Sequence, residues 1–126
     1  MPKQEILHPE KKVSTGAYSA GVLIDGWLYI SGQGAIDMAS GKVVKGGIEA
    51  QTRLTLEHIG KILAAAGMSF DDVVRCTVHL SNMKDFGRYN EVYRSFFKGI
   101  LPARTTVQSV LYSGMKIEID AIARKA

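Results

Sequence analysis

The chain has 126 residues, of which 46% are hydrophobic and 22% charged, so it has the size and composition of one globular domain, residues 1–126, and not of a disordered segment. Its net charge of +4 would suit nucleic acid, but the basic residues are scattered and no basic helix, zinc-ligand spacing or aromatic RNA-binding strand accompanies them, so specific nucleic-acid binding is not expected. One cysteine excludes a disulfide framework, and no stretch has the length of a signal-peptide core or a membrane span, so we expect a soluble cytoplasmic protein.

The N-terminal half predicts a hairpin followed by a helix. Residues 20–32 (AGVLIDGWLYISG) read as two short strands joined at Asp25-Gly26, a dipeptide that favours a type I′ turn. The turn-rich segment 36–47 leads to a helix over residues 48–66, in which the apolar positions share one face and after which Gly67 fits a helix stop.

The C-terminal half predicts a strand, a second helix and two more strands. The first strand covers residues 73–81 (VVRCTVHLS), and a helix with an aromatic stripe covers about 85–98. Pro102 cannot continue that helix and permits a strand over residues 104–112 (RTTVQSVLY). The clearest alternation lies in residues 115–124 (MKIEIDAIAR), which predicts the last strand.

Few helices and many antiparallel strands predict an α+β plait, with both helices on one face of a mixed β-sheet. Strand alternation turns Val74 toward the core. The same alternation predicts that four apolar side chains project from the face without helices: Trp27, Tyr29, Val73 and Ile122. Such a patch is too apolar to leave in water, so it predicts a homo-oligomer whose sheets pack face to face.

Motifs for metals, nucleophiles and phosphates are missing from the sequence. His8, His58 and His79 stand apart from one another and from any partner at metal-ligand spacing. Cys76 lies on the apolar side of its strand, with nothing nearby in sequence to lower its pKa. Residues 31–37 (SGQGAID) begin like a dinucleotide-binding loop, but no third glycine or helix follows. We therefore expect no metal.

A polar set remains on the last two strands. Alternation puts Arg104, Thr106 and Gln108 on one face of their strand. If these strands form a hairpin about residues 113–114, Glu118 lies on the same sheet face as Arg104, with a gap between them for a small molecule. A guanidinium suits a carboxylate, and an acid across the gap suits a water molecule. Exposed Arg and Glu on neighbouring strands are equally typical of a solvated surface, so both interpretations stay open.

Five segments occur in a specific order: GAYSAG (16–21), LYISGQG (28–34), the stretch 49–97, LPARTTV (101–107) and KIEIDAIA (116–123). In this order they resemble the Rid family of reactive-intermediate deaminases, also called the YjgF family. The resemblance implies a chorismate-mutase-like plait assembled as a homotrimer, with active sites between subunits. It also implies a 2-iminobutanoate/2-iminopropanoate deaminase of metabolite damage control, which hydrolyses 2-aminoacrylate-type enamines and imines to 2-keto acids and ammonia without a metal or organic cofactor.

The resemblance also implies roles for individual residues. Arg104 matches the arginine that binds the substrate carboxylate, and Glu118 matches the acid that positions the attacking water. Tyr18 and Ser31 match residues that line the pocket, Ser31 near the imine nitrogen. The implied substrate-binding set is completed by four further residues: Gly32, Phe86, Asn90 and Thr106.

The chain departs from the family pattern at three places, which leaves the substrate open. Ala17 replaces a proline, Thr106 stands where a cysteine is common, and the turn at residues 111–113 is one residue tighter. One alternative is a deaminase of another enamine, of the 3-aminoacrylate or aminomuconate type. A second is a trimeric regulatory protein that binds small carboxylates without turnover. A third, ribonuclease activity or translation inhibition, has only the mild basicity in its favour.

Overall fold

Within residues 2–125, which it describes, the computed structural model contains six β-strands and two α-helices. The strands are β1 (Gln4–Ile6), β2 (Gly21–Ile24), β3 (Trp27–Gln33), β4 (Val73–Leu80), β5 (Ala103–Gln108) and β6 (Ile117–Arg124). The helices are α1 (Ile48–Ala65) and α2 (Phe86–Ser95), and three short 3-10 turns lie at Phe70–Asp72, Met83–Asp85 and Tyr112–Gly114. Neither helix is long and apolar enough to cross a membrane.

The strands form one mixed sheet in the order β1-β2-β3-β6-β4-β5. β4 and β5 are parallel and are joined through α2, whereas the other neighbouring pairs are antiparallel. The α+β class with a mixed sheet is therefore confirmed. The predicted hairpin of the last two strands is wrong, because β4 lies between β5 and β6 and pairs with both. The three-residue edge strand β1 was not predicted either.

The predictions for the first hairpin and the first helix are confirmed. Asp25 and Gly26 join β2 to β3 with φ values of 51° and 82°, the positive pair that a type I′ turn requires. α1 begins at the predicted residue and ends at Ala65, one residue early, with Gly67 behind it at φ 72°.

Both helices pack against the same face of the sheet. The inward side chains of β3, β4 and β6, such as Leu28, Val78 and Ile119, share one buried cluster with Leu56 of α1 and Tyr89 of α2. Full burial of each large apolar side chain contributes roughly 1.5–3 kcal/mol. The other face of the sheet carries no helix, as the alternation predicted.

α2 is shorter than predicted, ending at Ser95 and not near Lys98. The backbone N–H groups of Phe96 and Phe97 bond three residues back instead of four, at 3.1 Å each, which tightens the chain into a turn. The two rings then pack against Phe70, with centroids 5.4 and 5.5 Å away. Core packing, and not Pro102, therefore ends the helix.

The exposed face differs from prediction at the start of β4. The pairing with β6 shifts register between Val73 and Arg75, so the alternation slips by one residue there. Val73 is 5% exposed and belongs to the core, whereas Val74, predicted to point inward, is 44% exposed. Tyr29 is 46% exposed on the uncovered face. The predicted apolar patch thus exists with Val74 in place of Val73.

Two histidines that are 50 residues apart in sequence are partners in the structure. His8 Nε2 and His58 Nδ1 lie 3.0 Å apart, and the rings are 4% and 5% exposed. The Glu10 N–H donates to His8 Nδ1 at 3.1 Å, so His8 carries its proton on Nε2 and donates to His58. His58 Nε2 in turn donates to the Ile36 carbonyl at 2.7 Å. The sequence spacing of the histidines therefore did not reveal this contact, and both buried rings are satisfied by hydrogen bonds.

The lowered pKa values of the His8–His58 pair predict that the protein becomes less stable as the pH falls from 6.5 to 4. Burial, and next the neighbouring His58, lowers the pKa of His8 from 6.5 to about 4, and burial lowers that of His58. Around them Glu10 and Glu57 favour protonation, while Lys11 and Lys61 oppose it. As the pH falls, the unfolded chain binds protons at a higher pH than the folded chain does. Roughly 3 kcal/mol of the free energy of unfolding, attributable to His8, is therefore present above pH 6.5 and lost toward pH 4.

Denaturant titrations at several pH values and one protein concentration measure this loss. His8→Gln, which cannot titrate, is expected to flatten the pH dependence between pH 5 and 7. The control His79→Gln, at a residue that bonds the Ser109 hydroxyl at 2.8 Å, is expected to retain it. A His8→Gln protein with the wild-type pH slope would contradict the assignment.

Candidate active site

Four of the predicted site residues line one cleft. Tyr18, Ser31, Gly32 and Glu118 lie around a cleft of about 960 Å³ beside β3 and β6. Its remaining wall comes from the N-terminal segment 13–15, from the connection that follows β3 and from the turn before β6. The sequence prediction that these four residues meet is consistent with this geometry.

The position of the Glu118 side chain in the cleft depends on Gly32. Its neighbours in β6, Ile117 and Ile119, point into the core, so its own side chain points to the face without helices. There it lies over Gly32, where an added Cβ would be 2.5 Å from Glu118 Oε2. Gly32 therefore provides space for the carboxylate, and this explains the first glycine of the SGQG segment.

Ser31 is oriented as a hydrogen-bond acceptor. Its hydroxyl donates to the Ser19 carbonyl at 2.6 Å, and its N–H donates to the Ala20 carbonyl at 2.9 Å. With its proton committed to the backbone, the Ser31 oxygen presents lone pairs to a ligand. Such a group suits an N–H donor.

Tyr18 is held at the rim of the cleft by the N-terminal segment. Its hydroxyl bonds the Thr15 hydroxyl and accepts from Lys11 Nζ at 3.3 Å. The same ammonium lies 4.7 Å from the centre of the Tyr18 ring. The ring is half exposed and can therefore contact a ligand.

Arg104 lies elsewhere, against α2. It pairs in register with Cys76, whose side chain is in the core, so the guanidinium points to the helix side of the sheet. Nη1 donates to Asn90 Oδ1 at 2.7 Å. The guanidinium carbon lies 4.8, 5.3 and 5.5 Å from three ring centres, those of Tyr93, Tyr89 and Phe86.

The charge of Arg104 is not neutralised within residues 2–125, since no carboxylate there lies within ion-pair distance of it. Arginine stays protonated at any physiological pH. Its guanidinium lines a second, smaller cleft of about 320 Å³ together with Asn90, Tyr93, Leu101 and Pro102. Aromatic faces stabilise the cation without using up its N–H donors, so this cleft suits a carboxylate.

Thr106 is the next residue of β5 on the same face as Arg104. Its hydroxyl lies 2.6 Å from the hydroxyl of Tyr89. Burial raises the pKa of Tyr89, and Thr106 and then Arg104 partly offset that rise. Sequence reasoning assigned no role to Tyr89. The signal was present, because aromatic residues at positions 86, 89 and 93 follow helical spacing toward one face.

The predicted site residues therefore form two groups that lie in different parts of the folded chain. One group faces away from the helices and the other faces α2, so the expectation that Arg104 and Glu118 share a sheet face is wrong. The physical reason is the register: Cys76 pairs with both Arg104 and Ala121, which therefore share the core face, and Glu118, three residues before Ala121, lies on the opposite face. In addition, β4 lies between their two strands. Within residues 2–125, no three His, Cys, Asp or Glu side chains are grouped to hold a metal ion.

Comparison with known proteins identifies relatives along most of the chain. The family model described as Endoribonuclease L-PSP matches residues 9–125. A 2-iminobutanoate/2-iminopropanoate deaminase of Rattus norvegicus is 47% identical over 109 residues, covering 86% of this chain and 80% of the relative.

Solved structures give the same result for the fold. A putative endoribonuclease of Thermotoga maritima is 38% identical with a TM-score of 0.91, covering 98% of both chains. TdcF of E. coli, solved with bound serine, is 32% identical with a TM-score of 0.89, covering 98% of this chain and 100% of that one.

The contact between Gly32 and Glu118 predicts the effect of one added methyl group. Gly32→Ala places a Cβ within 2.5 Å of Oε2 and must displace the carboxylate, so ligand-dependent activity of the cleft is expected to fall at least about tenfold with the fold intact. Gly87→Ala is the control, because nothing lies within 4 Å of the added Cβ in α2. Circular dichroism and activity are measured together; unchanged activity in Gly32→Ala would contradict the placement of Glu118.

Proposed function

Since the chain belongs to the Endoribonuclease L-PSP family, the Rid or YjgF family that its sequence resembles, we propose that it is a 2-imino acid deaminase. The reaction converts 2-iminobutanoate or 2-iminopropanoate, with water, to the 2-keto acid and ammonia. The observation that carries the proposal is the Arg104 guanidinium, which three aromatic rings and one amide hold in place while N–H donors remain for an anion. Curated relatives named for this activity, at 44–47% identity in the rat and human proteins, support it.

The residues divide the chemistry between them. Arg104 binds the substrate carboxylate, and Asn90 and Phe86 fix the guanidinium. The Ser31 oxygen accepts a hydrogen bond from the N–H group of the imine. Glu118 takes a proton from the water molecule that attacks the imine carbon and passes it to the nitrogen, which gives a carbinolamine. The carbinolamine hydroxyl then loses its proton, the nitrogen gains one, and the C–N bond breaks to release ammonia and the 2-keto acid. Imines of this kind already hydrolyse in water, so orientation and charge placement suffice for catalysis.

A site that contains both Arg104 and Glu118 requires two copies of the chain. Within one chain these residues lie on opposite faces of the sheet, two strands apart. The exposed apolar side chains of the face without helices, Tyr29 and Val74 among them, support packing against further copies. We propose a homotrimer with a chorismate-mutase-like plait in each subunit and three active sites, each built from the Arg104 group of one copy and the Glu118 group of the next.

The remaining features of the proposal concern the whole chain. The family match over residues 9–125 supports a single domain. The buried free thiol of Cys76 fits a reducing, cytoplasmic compartment. A role in metabolite damage control follows from the proposed activity, because it removes reactive imines. Ribonuclease activity, which the family description mentions, gains no support from the histidine pair, because His8 and His58 are buried.

Loss of the guanidinium is expected to abolish most of the acceleration. Arg104→Ala should lower kcat/KM by about a hundredfold or more, because a charge-assisted, two-pronged contact with the carboxylate is lost. The measurement is keto-acid and ammonia release when an amino-acid oxidase or threonine dehydratase generates the imine in situ. Arg88→Ala removes an exposed arginine of α2 that pairs with Asp85, the residue before that helix, and is expected to leave the rate unchanged. Binding of keto acids without any acceleration would instead support the regulatory alternative.

Mixed assemblies test whether the site spans two copies. Arg104→Ala and Glu118→Gln chains are each expected to be inactive, whereas trimers of both, formed by coexpression, contain one intact site each. Random one-to-one mixing then restores about a quarter of wild-type activity. Light scattering should give about three times the 13.7 kDa of one chain. A monomer, or mixed trimers without recovered activity, would contradict the shared site.

A further inference from the structure

The hydroxyl of Thr106 ends a short series of polar contacts that begins at Arg104. The Arg104 guanidinium carbon lies 5.3 Å from the ring centre of Tyr89, and the hydroxyl of that tyrosine lies 2.6 Å from Thr106 Oγ1. Tyr89 is completely buried, so its hydroxyl needs a partner inside the protein. Thr106 supplies this partner.

Either hydroxyl could donate in that contact, and the positive charge of Arg104 favours one direction. The guanidinium carbon lies over the Tyr89 ring, 5.3 Å from its centre, so the phenol O–H is more stable with its proton pointing away from the cation and toward Thr106. The opposing action of Arg104 on the pKa of Tyr89, which burial raises, agrees with a cation close to that oxygen. The phenol proton is then directed to Thr106 Oγ1, which accepts it. The proton of Thr106 itself is left for another acceptor.

Thr106 is well placed for an acceptor that Arg104 also binds. The two residues pair in register with Cys76 and Val78, both buried, and so project from the same face of the edge strand β5. Positions two apart on a strand are separated by about 7 Å. Thr106 is partly exposed, so its side chain is accessible to a ligand that lies beside the guanidinium.

We propose that Tyr89 is a positioning residue that transmits the charge of Arg104 to Thr106, and that the Thr106 hydroxyl is thereby aimed as a second hydrogen-bond donor at the substrate carboxylate. Hydrogen bonds in series polarise one another, so this hydroxyl donates more strongly than an isolated one, and more strongly than a thiol. The inference rests on the proposed function in one respect, that the carboxylate belongs to a 2-imino acid.

A double-mutant cycle tests the relay, which is the proposed transmission of the Arg104 charge through Tyr89 to the Thr106 hydroxyl. Thr106→Val removes the hydroxyl and keeps the branched shape, whereas Tyr89→Phe keeps the ring against Arg104 and removes only the phenol oxygen. Each is expected to raise KM for 2-iminobutanoate generated in situ by about five- to tenfold, with kcat within about twofold. The calorimetric Kd of 2-oxobutanoate should rise by the same factor. The double variant should be no weaker than either single one, because both remove the same donor.

Two further variants separate a relay from a packing effect. Thr106→Ser retains the hydroxyl without the methyl group and is expected to bind within about twofold of wild type. Thr105→Val makes the same change on the opposite face of β5, where the hydroxyl accepts from Arg75 at 2.8 Å, and should leave Kd unchanged in a normally assembled protein. Unchanged Kd in Thr106→Val, additive effects of the two substitutions, or a loss confined to kcat would overturn the relay.

Failure of the relay and failure of the proposed function give different results. A wild-type protein that accelerates the hydrolysis of no imine refutes the deaminase. The calorimetric Kd of 2-oxobutanoate in the same variants still decides the relay, because it requires binding and no turnover.

Discussion

The proposed site depends on one charged side chain, Arg104, which has no carboxylate at ion-pair distance within residues 2–125. Arg104 is permanently charged, and within residues 2–125 the groups around it are aromatic rings and one amide and not an acid. A guanidinium with free N–H donors suits an anion, and the anion best suited to its planar fork is a carboxylate. In the proposed function this anion is the carboxylate of the substrate, and an acid of the same chain bound to Arg104 would compete with it.

The strand order is the reason why the proposed site needs more than one copy of the chain. Because β4 separates β5 from β6, the cation and the Glu118 carboxylate cannot neutralise each other within one chain. The same separation prevents a self-inhibiting ion pair and leaves both groups available at different surfaces. In the proposed homotrimer, the exposed apolar side chains of the face without helices and the residues that complete the site belong to one arrangement.

Local features could be predicted from the sequence, and long-range pairings could not. Turn chemistry at Asp25-Gly26 and the apolar period of α1 are encoded within a few residues, and both are found as predicted. The position of β6 between β3 and β4 depends on which strands bury the most apolar surface together, which no local pattern records. The register shift at Val73 breaks a period that is otherwise regular, and the His8–His58 contact joins positions 50 residues apart. For the candidate site, the resemblance named the residues, and their assignment to it stays a prediction. Their division between two sheet faces, and the contact of Tyr89 with Thr106, depend on strand pairing and helix packing that the sequence does not display.

The two halves of the proposed site differ in how firmly they are held. Arg104 and Thr106 lie on β5, and their side chains contact the buried face of α2. Tyr18, in contrast, belongs to an N-terminal segment that is fastened to the core at His8, through His58 and the Ile36 carbonyl. Every 2-imino acid presents the same carboxylate, so a rigid half can serve all of them. Differences between substrates lie at the far end of the molecule, which meets the loop-built wall of the larger cleft. The proposed function therefore assigns substrate preference to that wall, which includes the turn at Tyr112–Gly114, and affinity for the class to β5 and α2.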